Sequence, residues 1–187
     1  MNDKELTWTT TETKALLHTR VFDVVEQKEI SGTGLEGNFF AISAPEWVVI
    51  IPVYQGNFVM VRQWRHAEDR ITVELPGGVI EEGEDPEVCA GRELLEETGF
   101  KAGKLTKLGT CSSNPALFKN HFHAFLAEDL TPTGEQHLDT DELLNYKLIP
   151  IEEVIENFGS GEYTHAFTGT AIMMYMRHAG YRPVKEI

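Results

Sequence analysis

Positive charge, cysteine and long apolar runs are all scarce in this 187-residue chain, and each shortage excludes something. Sixteen Lys and Arg stand against thirty Asp and Glu, a formal net charge of −14. A nucleic-acid backbone asks for a basic patch, so a surface this acidic makes nucleic acid a poor partner. A small anionic ligand would have to be met by local arginines or by a bound metal. The two cysteines, Cys89 and Cys111, are too few for a disulfide framework and form no metal-ligand spacing. No apolar run approaches the roughly 18 residues of a membrane span, and the N-terminal MNDKELTWTTTETK is polar rather than signal-like. The expectation is a cytoplasmic protein without a membrane partner.

What is present suits one substantial core. RVFDVVEQKEI (20–30) and residues 38–43 read as short strands separated by the turn-rich SGTGLEG. WVVIIPVY (47–54) and NFVMVRQW (57–64) are strongly β-prone and joined by Gln55-Gly56, a hairpin signature. ITVEL (71–75) is a further strand, stopped at Pro76-Gly77-Gly78. Strand candidates recur at 104–111, 121–127 and 143–149, and helices are expected over about 151–158 and 165–178. Mixed strands with helices packed on them mean an α/β or α+β fold. The organisation expected is an N-terminal β segment, 1–45, and a main domain, 46–187.

The densest signal is Gly77 to Phe100, GGVIEEGEDPEVCAGRELLEETGF, with eight carboxylates in twenty-four residues. Asp85 can cap a helix there, Pro86 suits its first position, and Gly99 suits a left-handed stop. On that helix Glu93 and Glu97 lie one turn apart on one face, with Glu96 beside them and Arg92 one turn before Glu96. Like charges at this spacing repel by roughly 0.2–0.5 kcal/mol per pair. A solvated acidic face is the bland explanation. A hard divalent cation such as Mg²⁺, bound by the clustered oxygens, would remove the repulsion.

The flanks favour the cation. Gly78, five residues, Glu84, seven residues, then Arg92-Glu93-Leu94-Leu95-Glu96-Glu97-Thr98-Gly99-Phe100 resembles the Nudix box, G-x5-E-x7-R-E-U-x-E-E-x-G-U, at every defined position. Strand order on both sides is also similar to that family from about Glu46 to Met176. The resemblance implies an α/β/α sandwich with a mixed sheet, plus a small N-terminal antiparallel sheet. It implies Mg²⁺ or Mn²⁺ held by Glu93, Glu96, Glu97 and the Gly77 carbonyl, with Arg92 orienting the glutamates and Glu84 supporting the loop. The activity implied is cleavage of a diphosphate linked to another group.

Outside the box, VRQWRHA (61–67) resembles a segment of the ADP-ribose and nucleoside-diphosphate-sugar branch, making Arg65 a phosphate contact, with Arg62 and His66 weaker candidates. Arginine's fork suits phosphate oxygens. Pro115, sixteen residues after Gly99, matches a proline of that branch, although Ala116 departs from its usual form. HLDTDELLNYKLIPIEEV resembles its acidic loop, so Glu142 becomes the general base or a metal ligand completed on substrate arrival, with Asp139 and Asp141 as alternates. Glu74 is a candidate for a ribose hydroxyl or an arginine partner, and Trp8, Phe22, Phe39, Phe40 and Trp47 for stacking an adenine. His121 and His123 share one strand face without a third metal partner. The expected function is Mg²⁺-dependent cleavage of ADP-ribose or a related ADP-sugar into AMP and a sugar phosphate. GDP-mannose, a dinucleoside polyphosphate, or a non-hydrolytic sensor role are the alternatives. The branch also implies a homodimer formed through the N-terminal sheet.

Overall fold

The computed structural model of the chain describes residues 2–140 and 142–181. These divide into two compact units: one runs to Glu46 and takes in Ser112–His121, and the other comprises Trp47–Cys111 and the described chain from Phe122 onward.

The first unit opens with a single helical turn, α1 (Asp3–Leu6), closed by a reciprocal cap between Asn2 and Glu5. Three strands follow as an antiparallel meander: β1 (Trp8–His18), β2 (Asp23–Ser31) and β3 (Glu36–Ser43). The sequence pattern predicts no strand before about Arg20, yet β1 is eleven residues long. All eleven are exposed, so no alternation of buried and exposed positions betrays it. The 112–121 segment joins this unit at Ile42, whose N–H donates to the Leu117 carbonyl (2.7 Å) and whose carbonyl accepts from Lys119 N–H (3.0 Å).

In the second unit, β4 (Trp47–Tyr54) and β5 (Asn57–Arg65) form the expected hairpin. Gln55 and Gly56 both take positive φ, 48° and 78°, the twist a two-residue hairpin turn prefers. Pairing between the two strands ends after Val53–Phe58, and β6 (Arg70–Glu74) then occupies that edge of β5 from Val61 to Arg65. After α2 (Pro86–Thr98), β7 (Phe100–Lys101), β8 (Lys104–Ser112), β9 (His121–Glu128), β10 (Thr131–Pro132) and β11 (Leu144–Pro150) complete the strands. The main sheet runs β11-β5-β4-β9-β8, with β6 on β5 and β4 parallel to β9, while β7 pairs with β10.

Alternation along β4 divides the core. Val48 and Ile50 pack with Cys89, Ala90 and Leu94 of α2, whereas Val49 and Ile51 face Val154 of α3 (Ile151–Asn157) and Ala171 and Ile172 of α4 (Ala166–His178). A mixed sheet between two helical layers is the α/β/α sandwich. Among the described residues no helix is long and apolar enough to cross a membrane.

Candidate active site

The separation of β4 from β5 creates the site. Having paired with β5, the chain leaves β6 and crosses to β4: Ile50 N–H donates to the Pro76 carbonyl (2.8 Å) and Val48 N–H to the Gly78 carbonyl (2.9 Å). Strand alternation turns the N–H and carbonyl of Gly77 the other way. Its N–H donates to Glu97 Oε2 at 2.8 Å. Gly77 is sterically required against fixed backbone, and Gly78 leaves room for the Glu93 carboxylate. A Cβ at Gly77 would collide with the Val48 carbonyl, and one at Gly78 with the Glu93 carboxylate.

α2 starts where the sequence places it. The Asp85 side chain accepts from Glu87 N–H (2.8 Å), Pro86 takes the first turn, and Gly99 ends the helix at φ 67°. Arg92 is the hub of the acidic cluster. Its Nε and Nη2 fork onto Glu84 (2.9 and 3.0 Å), and its Nη1 donates to both Glu93 Oε1 (2.8 Å) and Glu96 Oε2 (2.9 Å). That guanidinium holds the Glu84 carboxyl down at about 2 and is itself shifted upward. Burial pushes Glu93 up to about 7 despite Arg92, with the charges of Glu96 and Glu142 adding to the rise. Glu97, 2% exposed, is raised well above the usual carboxylate range, chiefly by burial, although the Gly77 amide favours its charged form.

The acidic loop is fastened to the end of this helix. Thr133 N–H and Oγ1 donate to the Gly99 carbonyl (2.7 and 2.8 Å), Gln136 Nε2 to the Glu97 carbonyl, and His137 N–H to the Glu96 carbonyl (2.9 Å). These donors satisfy carbonyls that a helix C-terminus leaves open. The anchoring brings Asp139 and Glu142 into the same cavity as the α2 carboxylates. Glu142 N–H donates to the Asp139 carbonyl (3.0 Å), and Asp139 N–H returns a bond to Glu142 Oε2 (3.2 Å). Asp141 lies outside the described residues.

Opposite the acidic cluster, Arg65 forks onto Glu74, with Nε to Oε1 at 2.7 Å and Nη2 to Oε2 at 2.5 Å. Glu74 is 1% exposed, and the Thr72 hydroxyl (2.6 Å) and His165 Nδ1 (3.3 Å) complete its shell. Burial alone would raise its pKa, but Arg65, His165 and Thr72 bring it below the ordinary value. Arg62 behaves differently from the phosphate contact expected of it. It is three residues from Arg65 and so on the opposite strand face, where it forks onto Glu162 (2.9 and 2.6 Å) and does not line the cavity.

The cavity, about 710 Å³, is lined by Arg65, Glu74, Gly77, Arg92, Glu93, Glu96, Glu97 and Glu142 among the candidates, all in the second unit. Trp47 lines it too; Trp8 and Phe39 instead meet edge-on in the first unit. Pro115 belongs to the first unit. His121 lies 3.3 Å from Glu46, and His123 Nδ1 is 3.0 Å from the Thr110 hydroxyl. Sequence reasoning missed His165 and Phe167, which also line the cavity. Their one signal is an aromatic and a histidine two apart at the start of the last predicted helix.

Among the described residues no three His, Cys, Asp or Glu side chains already converge as a metal-binding group; Arg92 bridges Glu93 and Glu96, while the Gly77 amide engages Glu97. The donor chemistry nonetheless fits a hard divalent cation. Every donor is an oxygen, and one arginine faces Glu84, Glu93 and Glu96 directly, with Glu97 and Glu142 adding repulsion that a bound cation would relieve.

A family model for the NUDIX domain matches residues 44–167, so this chain belongs to the Nudix family and is a Nudix hydrolase. It falls on the ADP-ribose pyrophosphatase branch: the ADP-ribose pyrophosphatase of Bacillus subtilis (strain 168) is 38% identical over 133 residues, 70% of this chain and 72% of the relative. The methanol dehydrogenase activator of Bacillus methanolicus is 32% identical over 114 residues, 60% and 62% of the two chains. A crystal structure of an ADP compounds hydrolase superposes with a TM-score of 0.80 at 23% identity, covering 94% of this chain and 97% of that one, and shares its fold.

Proposed function

We propose that this chain is a Mg²⁺- or Mn²⁺-dependent pyrophosphohydrolase that splits ADP-ribose, or a related ADP-sugar, into AMP and a sugar phosphate. The observation that carries the reading is one cavity holding the carboxylates of α2 and the Arg65 guanidinium together. Its volume lies within the roughly 300–1,000 Å³ of small-molecule sites. The similarity to an ADP-ribose pyrophosphatase supports the substrate class.

Glu74 engages two of the N–H groups of Arg65, and the remainder of its five suit diphosphate oxygens. Glu93, Glu96, Glu97 and the Gly77 carbonyl would hold a divalent cation. Bound there, it would neutralise charge developing on the diphosphate and lower the pKa of a water. Arg92 keeps Glu93 and Glu96 in place, and the Gly77 amide keeps Glu97 in place. Glu142 takes the proton from the attacking water, a task for a positioned carboxylate. Water adds at one phosphorus and the bridging P–O bond breaks, leaving two monophosphates. Pro115 is assigned to substrate binding on the family resemblance.

In the first unit Leu16, Leu17, Phe39 and Phe40 are exposed on a sheet with little buried core. A second copy of the chain covering this sheet, as in a cytoplasmic homodimer, accounts for them, and light scattering would read twice the 21.1 kDa monomer mass. The activity is tested by offering ADP-ribose, ADP-glucose, GDP-mannose and diadenosine polyphosphates with Mg²⁺ and reading monoester products through an added phosphatase. Selective release from ADP-ribose or ADP-glucose is expected. Preference for GDP-mannose or a dinucleoside polyphosphate would move the substrate, and binding without turnover would make the protein a sensor.

A further inference from the structure

The segment entering α4 is fixed more firmly than a surface loop needs to be. Val73 N–H donates to the Glu162 carbonyl (2.8 Å) while Arg62 forks onto the Glu162 carboxylate. Arg70 reaches the Gly161 carbonyl (3.1 Å) and the Thr164 hydroxyl (2.7 Å), and Leu75 N–H donates to Thr168 Oγ1 (3.1 Å). These bonds tie residues 161–168 to β5, β6 and the residue that follows. The result is a rigid seat for His165 and Phe167, which flank the first residue of α4 and line the cavity.

Three rings form a continuous wall there. Phe167 stacks on buried Phe122 (4.8 Å, 21°), tilts against Trp47 (5.2 Å, 58°) and meets His165 at 5.2 Å. Trp47 and Phe167 are half-buried, so apolar ring surface remains toward the cavity. His165 Nδ1 is turned to Glu74 (3.3 Å) and the Thr168 hydroxyl (3.2 Å), which leaves the opposite ring edge, with Nε2, for a ligand. Nε2 can exchange a hydrogen bond with a hydroxyl in either neutral tautomer, because a hydroxyl both donates and accepts. Gln63 and Glu68 line the same cavity and add amide and carboxylate groups to it.

We propose that Trp47, Phe167 and His165 form the subsite for the sugar half of the substrate, with the sugar's apolar face on the two aromatic rings and a ring hydroxyl hydrogen-bonded to His165 Nε2. This rests on the diphosphate-hydrolase reading above. A nucleobase stacks most fully on a free, flat aromatic face. Trp47 and Phe167 are inclined at 58°, and one face of Phe167 is already taken by Phe122. A puckered ring carrying hydroxyls matches a single inclined wall bordered by acceptors.

The test compares ADP-ribose with the methyl ester of ADP, which keeps the base and diphosphate and replaces the sugar by methyl. In wild type and in His165→Leu and Phe167→Leu, the quantity read is the ratio of kcat/KM for ADP-ribose to that for the methyl ester, beside the thermal midpoint of each protein. The ratio should fall about tenfold in each variant, the equivalent of one good hydrogen bond or aromatic contact. Should His165→Leu fail to fold, Phe167→Leu decides alone by the same ratio. An unchanged ratio, with both substrates falling together or neither falling, overturns the subsite. A wild-type enzyme that cleaves neither ester overturns the ADP-sugar reading itself, and the subsite with it.

Discussion

Replacing Glu74 by Gln tests the linkage between the buried core and Arg65. The carboxylate is 1% exposed and accepts two arginine N–H groups and the Thr72 hydroxyl. Glutamine keeps one acceptor and turns an NH₂ group against an arginine donor. Removing one partner of a buried charge pair costs roughly 3–5 kcal/mol. The Arg65 side chain is 43% exposed and can rehydrate, so about 2 kcal/mol is the expected loss. At roughly 2–4 °C per kcal/mol for a chain of this size, the thermal midpoint should drop by about 4–8 °C at pH 7. The pH dependence has a fixed sign. Folding depresses the Glu74 pKa below its ordinary 4.5, so its stabilisation is full above that value and is lost as pH falls through the lower, folded value. Burial depresses His165, whose contribution is present above its ordinary 6.5 and is lost on acidification below it. Calorimetry of both proteins should therefore show a gap that narrows only below about pH 4.5, where Glu74 takes up its proton. Equal midpoints at pH 7, or a gap that fails to narrow below about pH 4.5, would refute the assignment of Arg65's orientation to Glu74.

Glu97→Gln should abolish turnover while the thermal midpoint holds or rises, because the amide oxygen still accepts the Gly77 N–H and a buried charge is gone. Gly77→Ala should destabilise the protein by about 1–3 kcal/mol in chemical denaturation, since its Cβ and the Val48 carbonyl cannot occupy one place. Arg92→Lys replaces a fork that serves Glu84, Glu93 and Glu96 by a point charge, so kcat should fall at least tenfold in steady-state assays; a lysine enzyme matching wild type would show that the fork is dispensable. Adding Mg²⁺ to chelator-treated protein should raise the midpoint, and the rise should be absent in Glu97→Gln.

The second unit was legible because its signals are local. Asp85, Pro86 and Gly99 mark α2 from three positions, and the apolar runs 47–54 and 57–64 bury both faces of two central strands. The acidic cluster was legible because a helix translates spacing directly into a face. β1 was not, because a wholly exposed strand owes its place to pairing with β2 rather than to burial. VRQWR favours Arg65 over Arg62 as the phosphate contact, and strand alternation sends the two to opposite faces, but only the pairing partners, Glu74 and Glu162, show which face meets the cavity. His165 and Phe167 escaped notice for the same reason. They lie 91 and 93 residues beyond Glu74 in sequence, and the bonds from Arg62, Arg70, Val73 and Leu75 to residues 161–168 hold them at the cavity.

The most direct measurement is chromatography of the products formed from ADP-ribose by wild type and by Glu97→Gln, with Mg²⁺ and with excess chelator. Equimolar AMP and ribose 5-phosphate, formed only by wild type and only with the metal, is the result expected. Turnover that survives Glu97→Gln, or that proceeds unchanged in chelator, would contradict the assignment of the α2 carboxylates as the cation site.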